Sequence, residues 1–476
     1  MAKKTGMRIE TDSLGARFLP SNAYIGIQTL RAMENFRISR LHATTEFREA
    51  TAIVKRAAAE ANYKLGVLDK RRARAIIKAS DEIINGQLSE HFHVDVFQAG
   101  AGTSHNMNAN EVIANRAIEI LGGKKGDYSV IHPNDHVNMS QSTNDVIPTA
   151  MRIAALKASA ALIKELNTLS ASLRKKAREF DTVIKSGRTH LQDAVPIRLG
   201  QEFLAYALAI EESLGLIKEA QKGLKTLGIG GSAVGTGINT PKGYQKLICK
   251  IISQVSGITG LKTSDNLPYS MQSMLPFTTL SGSLKSLAIE LIRISNDLRL
   301  LSSGPRTGLS EITLPALQPG SSIMPGKVNP VVPEMVCMVG FQVIGNDTAI
   351  AMAAQAGQLE LNVMMPVINH NLLQSLEILT NAVNTLTTKC LAGIKADKKA
   401  CERYFRRSAA IATILNPLIG YSEAAKLSKE AVEKDMDIAT LIIEKGLLTK
   451  KELEKALSPT AITSPGMIKK HRKGRR

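Results

Sequence analysis

The chain has 476 residues, of which 44% are hydrophobic and 22% are charged, a balance typical of a globular protein with two or three domains. Its four cysteines show no paired spacing, which argues against a disulfide framework or a clustered zinc site. No secretory leader and no bilayer-length apolar run is evident. We therefore expect reduced thiols, a cytoplasmic location and no membrane association.

The formal net charge is +19, and part of this charge lies at the C-terminus. The basic residues that close the chain are Lys469, Lys470, His471, Arg472, Lys473, Arg475 and Arg476. Such a run is typical of a solvated end, and a nucleic-acid-binding arm is the alternative. Aromatic residues make up only 4% of the chain and tryptophan is absent, so platforms for base stacking are scarce. This scarcity argues against nucleic acid as a partner.

The first 141 residues predict a mixed, mostly helical domain, in which residues 8–20 are irregular or short-stranded. From residue 142 to residue 398 the pattern becomes strongly helical. Apolar residues recur there at steps of three and four in two series, Leu162, Leu166, Leu169, Leu173, Ala177 and Phe180, then Leu280, Leu284, Leu287, Leu291, Ile294 and Leu298. Such a period buries one stripe of each helix against neighbouring helices.

Two further stretches, residues 199–227 and 333–389, are rich in alanine and leucine and contain few helix breakers. Together these features predict a mainly α fold with a central bundle of long helices over residues 142–398. Apolar faces of this length commonly associate between subunits, so we expect an oligomer. The pattern then shortens, which predicts a small helical C-terminal domain, residues 399–476, with the basic tail at its end.

Three polar clusters, residues 100–108, 138–145 and 186–193, are dense in hydroxyls and amides and poor in acids. Hydroxyls, amides and helix N-termini are groups that hold carboxylate oxygens. The same residue types also form helix caps and Asx-turns, so one cluster alone would indicate only local structure. Three such clusters in one chain favour a binding site.

Residues 320–330 read Gly-Ser-Ser-Ile-Met-Pro-Gly-Lys-Val-Asn-Pro and are the most informative segment of the chain. Glycine and proline indicate a loop, and a glycine-framed loop can close over a site. Ser321 has no neighbouring histidine and is a poor base unless a nearby group lowers its pKa. Lys327 could do so, and it could also hold a substrate carboxylate. The loop therefore predicts a site that binds an anion and removes a proton from it.

Two other patterns are rejected as cofactor or metal sites. Residues 228–233 mimic a dinucleotide fingerprint, but a lysine-rich helical stretch precedes them where that motif needs a strand. His91, His93 and Asp95 resemble a metal triplet, but the two histidines would face different sides of a helix and no fourth ligand is close in sequence. We therefore expect neither a metal nor a cofactor.

Residues 320–330 resemble the signature of the aspartase/fumarase superfamily, and the likeness extends over nearly the whole chain. Within that superfamily the chain is most similar to the aspartate ammonia-lyase branch. Ser104, in the motif Gly-Thr-Ser-x-Asn-Met-Asn, matches the aspartase serine, whereas class II fumarases typically carry glutamine at this position. Residues 314–318 and 356–364 also resemble the aspartase branch.

This resemblance implies a mainly α, three-domain fold in which the central domain contributes five long helices per subunit. Four subunits would form a homotetramer around a twenty-helix core, and each active site would lie where three subunits meet. The polar clusters would then lie far apart in sequence because each comes from a different chain. The implied partner is a small dicarboxylate substrate.

The resemblance also assigns roles to individual residues of the loop and of the third cluster. Ser321 would be the general base that takes the Cβ proton. Lys327 and Asn329 would hold the α-carboxylate with help from Thr189. His190 would act with Thr189 at the substrate amino group, and we place it with Ser321 among the catalytic residues.

The remaining predicted substrate contacts come from the first part of the chain. By resemblance, Thr103, Ser142 and Thr143 would hold the β-carboxylate, and Asn144 would contact the amino group. Arg31 matches an arginine of the superfamily that is linked to substrate binding.

The implied reaction is the reversible deamination of L-aspartate to fumarate and ammonia by a carbon–nitrogen lyase. Two alternatives stay open: a class II fumarate hydratase, which interconverts fumarate and L-malate, and a non-catalytic basic scaffold. Two departures from the aspartase pattern bear on substrate preference or on packing. Met365 stands where aspartases often have an acidic residue, and His105 stands where small residues are usual.

Overall fold

The computed structural model describes residues 6–408 and 410–466, so the predicted basic tail lies outside the described residues. The α-helices are Ile27–Asn35 (α1), Thr45–Lys64 (α2), Lys70–Ile84 (α3), Thr103–Ile120 (α4), Thr143–Glu179 (α5), Leu199–Leu224 (α6), Tyr244–Ser256 (α7), Leu267–Gln272 (α8), Leu275–Leu301 (α9), Val331–Gln355 (α10), Met365–Thr385 (α11), Lys398–Arg407 (α12), Ala410–Ile419 (α13), Tyr421–Glu433 (α14), Ile438–Glu444 (α15), Lys450–Ala456 (α16) and Pro459–Ile462 (α17). The fold is mainly α, as predicted.

The strands are short and pair two by two. They are Met7–Asp12 (β1), Gly15–Pro20 (β2), Ile184–Thr189 (β3), Gln192–Arg198 (β4), Thr226–Leu227 (β5), Lys262–Thr263 (β6), Ile312–Thr313 (β7) and Lys395–Ala396 (β8). The pairs β1–β2, β3–β4 and β7–β8 are antiparallel, and β5–β6 is parallel. The β1–β2 hairpin confirms the short-stranded segment predicted for residues 8–20.

The chain divides into two compact units. Among the described residues, the first contains 6–164, 215–288 and 340–380, and the second contains 165–214, 289–339, 381–408 and 410–466. Each of the five longest helices, α5, α6, α9, α10 and α11, has residues in both units. The predicted domain boundaries near residues 141 and 398 stay a prediction.

Helices α2, α3 and α4 build the N-terminal part of the first unit. Helix α2 carries an alanine-rich face, and small side chains such as Ala57 and Ala61 are completely buried on it. Ile76 of α3 and Val112 of α4 belong to the adjoining apolar core cluster, and both are fully buried. This core fixes the position at which α4 begins, and the start of α4 is one of the predicted polar clusters.

The long helices form the bundle that the leucine periodicity predicted. Every member of both apolar series is at most 8% exposed. Within the first unit, Arg152 of α5 donates to the Gly223 carbonyl of α6 at 2.9 Å, and Ser281 of α9 donates to Asp347 of α10 at 2.7 Å. Polar contacts thus fix neighbouring helices whose apolar stripes supply most of the packing free energy.

The second unit contains the other ends of the same helices. There Arg174 of α5 pairs with Glu211 of α6 at 2.6 Å, and the Tyr206 hydroxyl of α6 donates to Asp297 of α9 at 3.0 Å. Helices α12–α17 follow and pack around their own apolar cluster, which includes Leu415 of α13 and Leu427 of α14. These short helices confirm the predicted change of pattern toward the C-terminus.

One predicted stretch is interrupted. Residues 333–389 were expected to be helical with few breaks, yet α10 ends at Gln355 and α11 begins only at Met365. Asn362 stabilises the connection, since its side-chain amide donates to the Ala353 carbonyl at 3.1 Å and its oxygen accepts from Met364 N–H. An asparagine that replaces several helical hydrogen bonds gives little signal in a hydrophobicity pattern.

By length and composition alone, α5 and α10 are apolar enough to cross a membrane. In α5, 72% of the most apolar stretch is buried inside the protein, as in an interior helix, and the value for α10 is 33%. Core helices commonly pass the same test, so this result is weak support for a membrane span.

Candidate active site

Ser321 lies half-buried in the loop between β7 and α10. Its Oγ accepts hydrogen bonds from the backbone N–H groups of Ile323, at 3.2 Å, and Met324, at 3.0 Å. Hydrogen bonds donated to an oxygen favour its anionic form, so these two groups lower the free energy of a Ser321 alkoxide. The sequence pointed only to a lysine for this effect, and the structure adds two backbone donors.

The ends of this loop are held together by short hydrogen bonds. The Gly320 N–H donates to the Lys327 carbonyl at 2.7 Å, and the Asn329 side-chain amide donates to the Gly320 carbonyl at 2.8 Å. A Cβ at Gly320 would lie 2.7 Å from both the Asn329 nitrogen and the Lys327 oxygen, so only glycine fits. The Lys327 side chain is exposed. The charged side chain of the loop, Lys327, therefore lies in solvent, while the side-chain amide of Asn329 holds the two ends of the loop together.

Thr189 and His190 lie at the tip of the β3–β4 hairpin. Thr189 pairs with Gln192, and the two residues between them, His190 and Leu191, have φ angles of 54° and 60°. Two consecutive positive φ angles are typical of the type I′ turn, whose twist matches that of the flanking strands. Both turn residues are exposed. The hairpin therefore presents the His190 imidazole at its end.

Thr103 is the first residue of α4 and is exposed. Its Oγ1 donates to the Gly100 carbonyl at 3.1 Å. The first N–H groups of a helix have no intrahelical partner, and they carry the positive end of the helix dipole. Thr103 therefore lies at a position where a carboxylate is stabilised.

Ser142, Thr143 and Asn144 lie at the start of α5, a second helix N-terminus in the same unit. Ser142 Oγ accepts from the Asn144 N–H at 3.2 Å, and Asp145 Oδ1 accepts from the Ser142 N–H at 2.9 Å, so the cap is reciprocal. The Asn106 side-chain amide donates to Thr143 Oγ1 at 3.1 Å. This bond joins the start of α4 to the start of α5 within one chain, so the two segments predicted to hold the β-carboxylate are connected, and the expectation that these two polar clusters come from different chains is wrong.

A lysine that the sequence analysis missed is bonded to the segment before α5. Lys55 of α2 is fully buried, and its Nζ donates to the side-chain oxygens of Asn138, at 2.8 Å, and Gln141, at 3.1 Å. The same Asn138 oxygen also accepts from the side-chain amides of Asn106 and Asn110, both at 3.3 Å. One buried ammonium group thus organises the polar residues that support the predicted carboxylate site.

Asp145 provides a negative charge that interacts with Lys55. It is fully buried, and its Oδ2 accepts from the N–H groups of Gly230 and Ser232 at 3.0 Å each. Burial raises the pKa of Asp145 to about 6, against the opposing effects of its backbone hydrogen bonds and of Lys55. Burial lowers the pKa of Lys55 to about 7, and the Asp145 charge opposes that shift. The glycine-rich residues 228–233 therefore bind an internal carboxylate.

The two departures from the aspartase pattern line the same small cavity. His105 and Met365 are both buried there, and the His105 ring stacks on Phe47 with centroids 4.4 Å apart. Thr51 donates its hydroxyl proton to the Phe47 carbonyl, so at 3.0 Å it accepts from His105 Nε2, which must carry the imidazole proton. Burial and neighbouring positive charges lower the pKa of His105 to about 3. Both departures contribute to packing.

Arg31, a predicted substrate contact, is engaged with the N-terminal hairpin. Its Nε and Nη2 donate to the two carboxylate oxygens of Asp12 at 2.8 Å each, and Nη2 also donates to the Gly15 carbonyl at 2.9 Å. The hydrogen bonds from this guanidinium lower the pKa of Asp12. Arg31 thus orders the β1–β2 turn, and its contact with substrate stays a prediction.

The residues of the rejected metal triplet have separate partners. His91 lies beside Glu90, at 3.4 Å, and Asp95 accepts hydrogen bonds from Ser39, at 2.6 Å from the backbone N–H and 3.0 Å from the hydroxyl. The rings of His93 and His42 form a T-shaped contact, with centroids 6.3 Å apart. Within residues 6–408 and 410–466, no three His, Cys, Asp or Glu side chains converge in a way that could hold a metal ion.

The predicted site residues fall into two groups by compact unit. The first unit contains Arg31, Thr103, Ser142, Thr143 and Asn144, and the second contains Thr189, His190, Ser321, Lys327 and Asn329. The first group provides helix N-termini and hydroxyls suited to a carboxylate. The second group provides the candidate base, the imidazole and the exposed ammonium.

Matches to known families cover most of the chain. Residues 15–345 match the family model described as "Lyase", and residues 411–464 match the one described as "Fumarase C C-terminus". The first match alone spans more than half of the 476 residues. The protein therefore belongs to this lyase family, which confirms the predicted superfamily.

Similar curated proteins share one name. The chain is 49% identical to "Aspartate ammonia-lyase" of Bacillus subtilis (strain 168) over 97% of each chain. It is 48% identical to the Helicobacter pylori (strain ATCC 700392 / 26695) protein of that name over 98% of this chain and 100% of the relative. The Escherichia coli (strain K12) protein of that name is 47% identical over 96% of each chain.

Solved structures agree on the fold. A Brucella melitensis protein titled "fumarate lyase:delta crystallin", bound to cobalt, has a TM-score of 0.93 at 50% identity and covers 96% of this chain and 100% of its own. A class II fumarase from Schistosoma mansoni has a TM-score of 0.91 at 37% identity, and the match covers 96% of this chain and 99% of the fumarase chain. The predicted mainly α fold of this superfamily is confirmed.

Proposed function

We propose that this protein catalyses the reversible deamination of L-aspartate to fumarate and ammonia. Relatives named aspartate ammonia-lyase are 47–49% identical to it over at least 96% of its length, whereas the Schistosoma fumarase is 37% identical. The observation that carries the chemical proposal is the environment of Ser321, whose oxygen accepts two backbone hydrogen bonds in a loop that also presents Lys327.

The first chemical step breaks the Cβ–H bond of L-aspartate. The Ser321 alkoxide takes this proton, and the electron pair moves into the adjacent β-carboxylate to form an aci-carboxylate dianion. The N–H groups of Ile323 and Met324 support the alkoxide before transfer. An alkoxide needs such support because an unassisted serine hydroxyl is a very weak acid.

The second requirement is to stabilise the doubly charged carboxylate. Thr103 and Thr143 provide hydroxyls at the starts of α4 and α5, where the helix dipoles favour negative charge. Lys55 anchors the polar residues behind these helix starts. Preorganised donors of this kind are typically worth about 3 kcal/mol each in the transition state.

Collapse of the dianion then breaks the Cα–N bond. The electron pair of the aci-carboxylate forms the Cα–Cβ double bond, and the protonated amino group takes the Cα–N electron pair and leaves as ammonia. His190 and Asn144 contact the amino group in this proposal, and Lys327, Asn329 and Thr189 hold the α-carboxylate. The substrate carboxylate serves as electron sink, so this scheme uses no cofactor.

The complete site requires several copies of the chain, and we propose a homotetramer in the cytoplasm. Exposed apolar side chains on the long helices support this assembly, with exposed fractions of 66% for Met338, 62% for Phe341 and 54% for Leu216. Apolar faces left open on long helices are commonly covered by other subunits. Sites shared by three subunits would bring the two groups of residues together.

The decisive assay follows the ultraviolet absorbance of fumarate formed from L-aspartate by the purified protein. Turnover of L-aspartate with release of equimolar ammonia supports the proposal. The rival class II fumarase reaction is tested in the reverse direction, with fumarate in the presence and absence of ammonium. Malate formed without ammonium would favour fumarate hydratase, and the absence of turnover in both assays would favour a non-catalytic scaffold.

A further inference from the structure

Four buried or half-buried charged side chains lie on or beside the β3–β4 hairpin. We name them the charge cluster: Lys185, Arg188, Glu202 and Glu311. Glu311 is completely buried and Lys185 is 2% exposed. All four belong to the second compact unit. The cluster has two positive and two negative charges, so it is balanced.

Glu311 occupies the centre of the cluster. Its Oε1 accepts from Arg188 Nη1 at 2.8 Å, and its Oε2 lies 3.2 Å from Lys185 Nζ as an ion pair without hydrogen-bond geometry. Lys185 in turn donates to Glu202 at 2.8 Å. A buried carboxylate that pairs with two different residues of one strand, Arg188 by a hydrogen bond and Lys185 by charge alone, fixes that strand more firmly than either contact alone.

The strand is built to direct Arg188 toward this carboxylate. The register of β3 and β4 shifts between Ser186 and Arg188, which is a β-bulge. A Cβ at Gly187 would lie 2.5 Å from the Val195 carbonyl, so the bulge requires glycine there. Bulges commonly re-aim a side chain next to an active site. Arg188 is followed directly by Thr189 and His190.

The backbone of Glu311 is itself held on both sides. Its N–H donates to the Leu301 carbonyl at the end of α9, and its carbonyl accepts from the Asp397 N–H, both at 2.9 Å. It directly precedes β7, from which the chain runs on to the Ser321 loop. The anchoring carboxylate is thus fixed relative to the end of a long helix.

We propose that Glu311 is a positioning residue that sets the direction of the hairpin tip and thereby places Thr189 and His190 against the substrate amino group and α-carboxylate. The inference rests on the proposed function. Glu311 is completely buried, so it acts through Arg188, which directly precedes Thr189. Loss of its charge leaves two cations facing one anion, so the cluster must rearrange, and the tip moves with it.

The test compares Glu311→Gln with Glu430→Gln. Glutamine keeps the shape of the side chain but removes its charge. Glu430 is the control because it also pairs with two cationic side chains, Lys434 at 2.8 Å and Lys445 at 2.5 Å, but on the surface of the small C-terminal helices. For Glu311→Gln we expect the KM for L-aspartate to rise about tenfold or more, with a smaller change in kcat, whereas Glu430→Gln leaves both unchanged.

Inhibition by succinate distinguishes a positioning role from a merely structural one. Succinate has both carboxylates but no amino group. The factor by which Glu311→Gln raises the succinate inhibition constant should therefore be several times smaller than the factor by which it raises the KM for L-aspartate. Equal rises for the two compounds, or a loss of kcat at unchanged KM, would overturn the inference. Arg188→Met, which removes the cation that donates to Glu311, provides the same comparison if Glu311→Gln does not fold.

Hydrogen exchange separates this inference from the proposed function. In Glu311→Gln, amide exchange should accelerate at least fivefold within residues 184–198 and stay unchanged in α14. If wild-type protein does not turn over L-aspartate, the proposed function fails, and unchanged exchange in the hairpin would independently reject the positioning role. If wild-type protein is active and the hairpin exchanges normally in the variant, only the positioning role fails.

Discussion

The Nζ atom of Lys55 donates a 2.8 Å hydrogen bond to the side-chain oxygen of Asn138, and this bond links a fully buried lysine on α2 to the segment that leads into α5. Asn138 in turn donates to the Gln141 carbonyl at 3.2 Å. The residues that cap α5 therefore depend on a lysine more than eighty positions earlier in the chain.

Lys55→Met should destabilise the protein and weaken substrate binding together. The substitution keeps the length of the side chain but leaves the buried oxygens of Asn138 and Gln141 without their ammonium donor, which should cost about 1–3 kcal/mol in the free energy of unfolding. Looser support for Ser142 should raise the KM for L-aspartate. Urea unfolding at fixed protomer concentration and steady-state kinetics measure the two effects.

Lys64→Met is the control for that prediction. Lys64 lies on the same helix, is 49% exposed on its side chain and pairs with Glu60 one turn away. Its removal should change the free energy of unfolding by less than about 0.5 kcal/mol and leave KM unchanged. Equal effects of the two substitutions would show that the buried network does not support the site.

The burial of His105 should lower the free energy of unfolding in acid. Its pKa is about 3 in the folded protein, against 6.5 for the free side chain, so the unfolded chain binds a proton between these values and the folded chain does not. Stability is therefore lost as pH falls from 6.5 toward 3. At pH 5 the loss from this residue is about 2 kcal/mol, from 1.5 pH units at 1.36 kcal/mol each.

The measurement compares wild-type protein with His105→Phe at pH 7.5 and pH 5. Other titrating groups, such as Asp145, are common to both proteins, so the difference between their free energies of unfolding isolates His105. That difference should shift by about 2 kcal/mol in favour of the variant at the lower pH. A pH-independent difference would mean that the imidazole is already accessible to protons in the folded state.

The sequence predicted the features of this fold that depend on local pattern. Leu162, Leu166 and Leu169 repeat with the helical period, and a stripe of that kind is buried wherever the helix packs, so the long helices were evident without any knowledge of their neighbours. The same holds for the loop around Ser321, since glycine and proline restrict the backbone directly.

Contacts between distant segments could not be predicted in this way. Lys55 and Glu311 are single charged residues in otherwise ordinary stretches, and their importance comes only from partners such as Asn138 and Arg188 that the fold brings near. One signal was available for Lys55, because a lysine in the alanine-rich run of α2 conflicts with the apolar face on which it lies. The backbone donors to Ser321 have no side-chain signature at all.

Ser321→Ala should abolish turnover while leaving the fold intact. Loss of the base should lower kcat by about a thousandfold or more, because positioned general bases contribute up to about 10⁴-fold and the two backbone hydrogen bonds that support the alkoxide end on Ser321 Oγ. The adjacent Ser322→Ala provides the control, since Ser322 is exposed. Fumarate formation and circular dichroism check the two proteins, and comparable turnover by both would exclude Ser321 as the base.

Gly320→Ala tests the closed geometry of the loop without removing any functional group. The added Cβ would lie 2.7 Å from the Asn329 nitrogen and the Lys327 oxygen, a distance that real Cβ atoms do not show, so the hydrogen bonds that join the ends of the loop must open. The residues predicted to bind the α-carboxylate would then separate. We expect kcat/KM to fall about a hundredfold, with an unfolding free energy within about 1 kcal/mol of wild type because the loop is exposed.

Gly326→Ala is the comparison that distinguishes loop closure from general strain. Gly326 has a φ of +79°, so alanine is strained there by about 1–2 kcal/mol, but its Cβ would meet no atom within 4 Å. This variant should lose activity about tenfold or less, since the Gly320–Lys327 and Asn329–Gly320 hydrogen bonds can persist. If Gly326→Ala proved as damaging as Gly320→Ala, backbone strain would explain both losses, and closure of the loop ends would not be needed for catalysis.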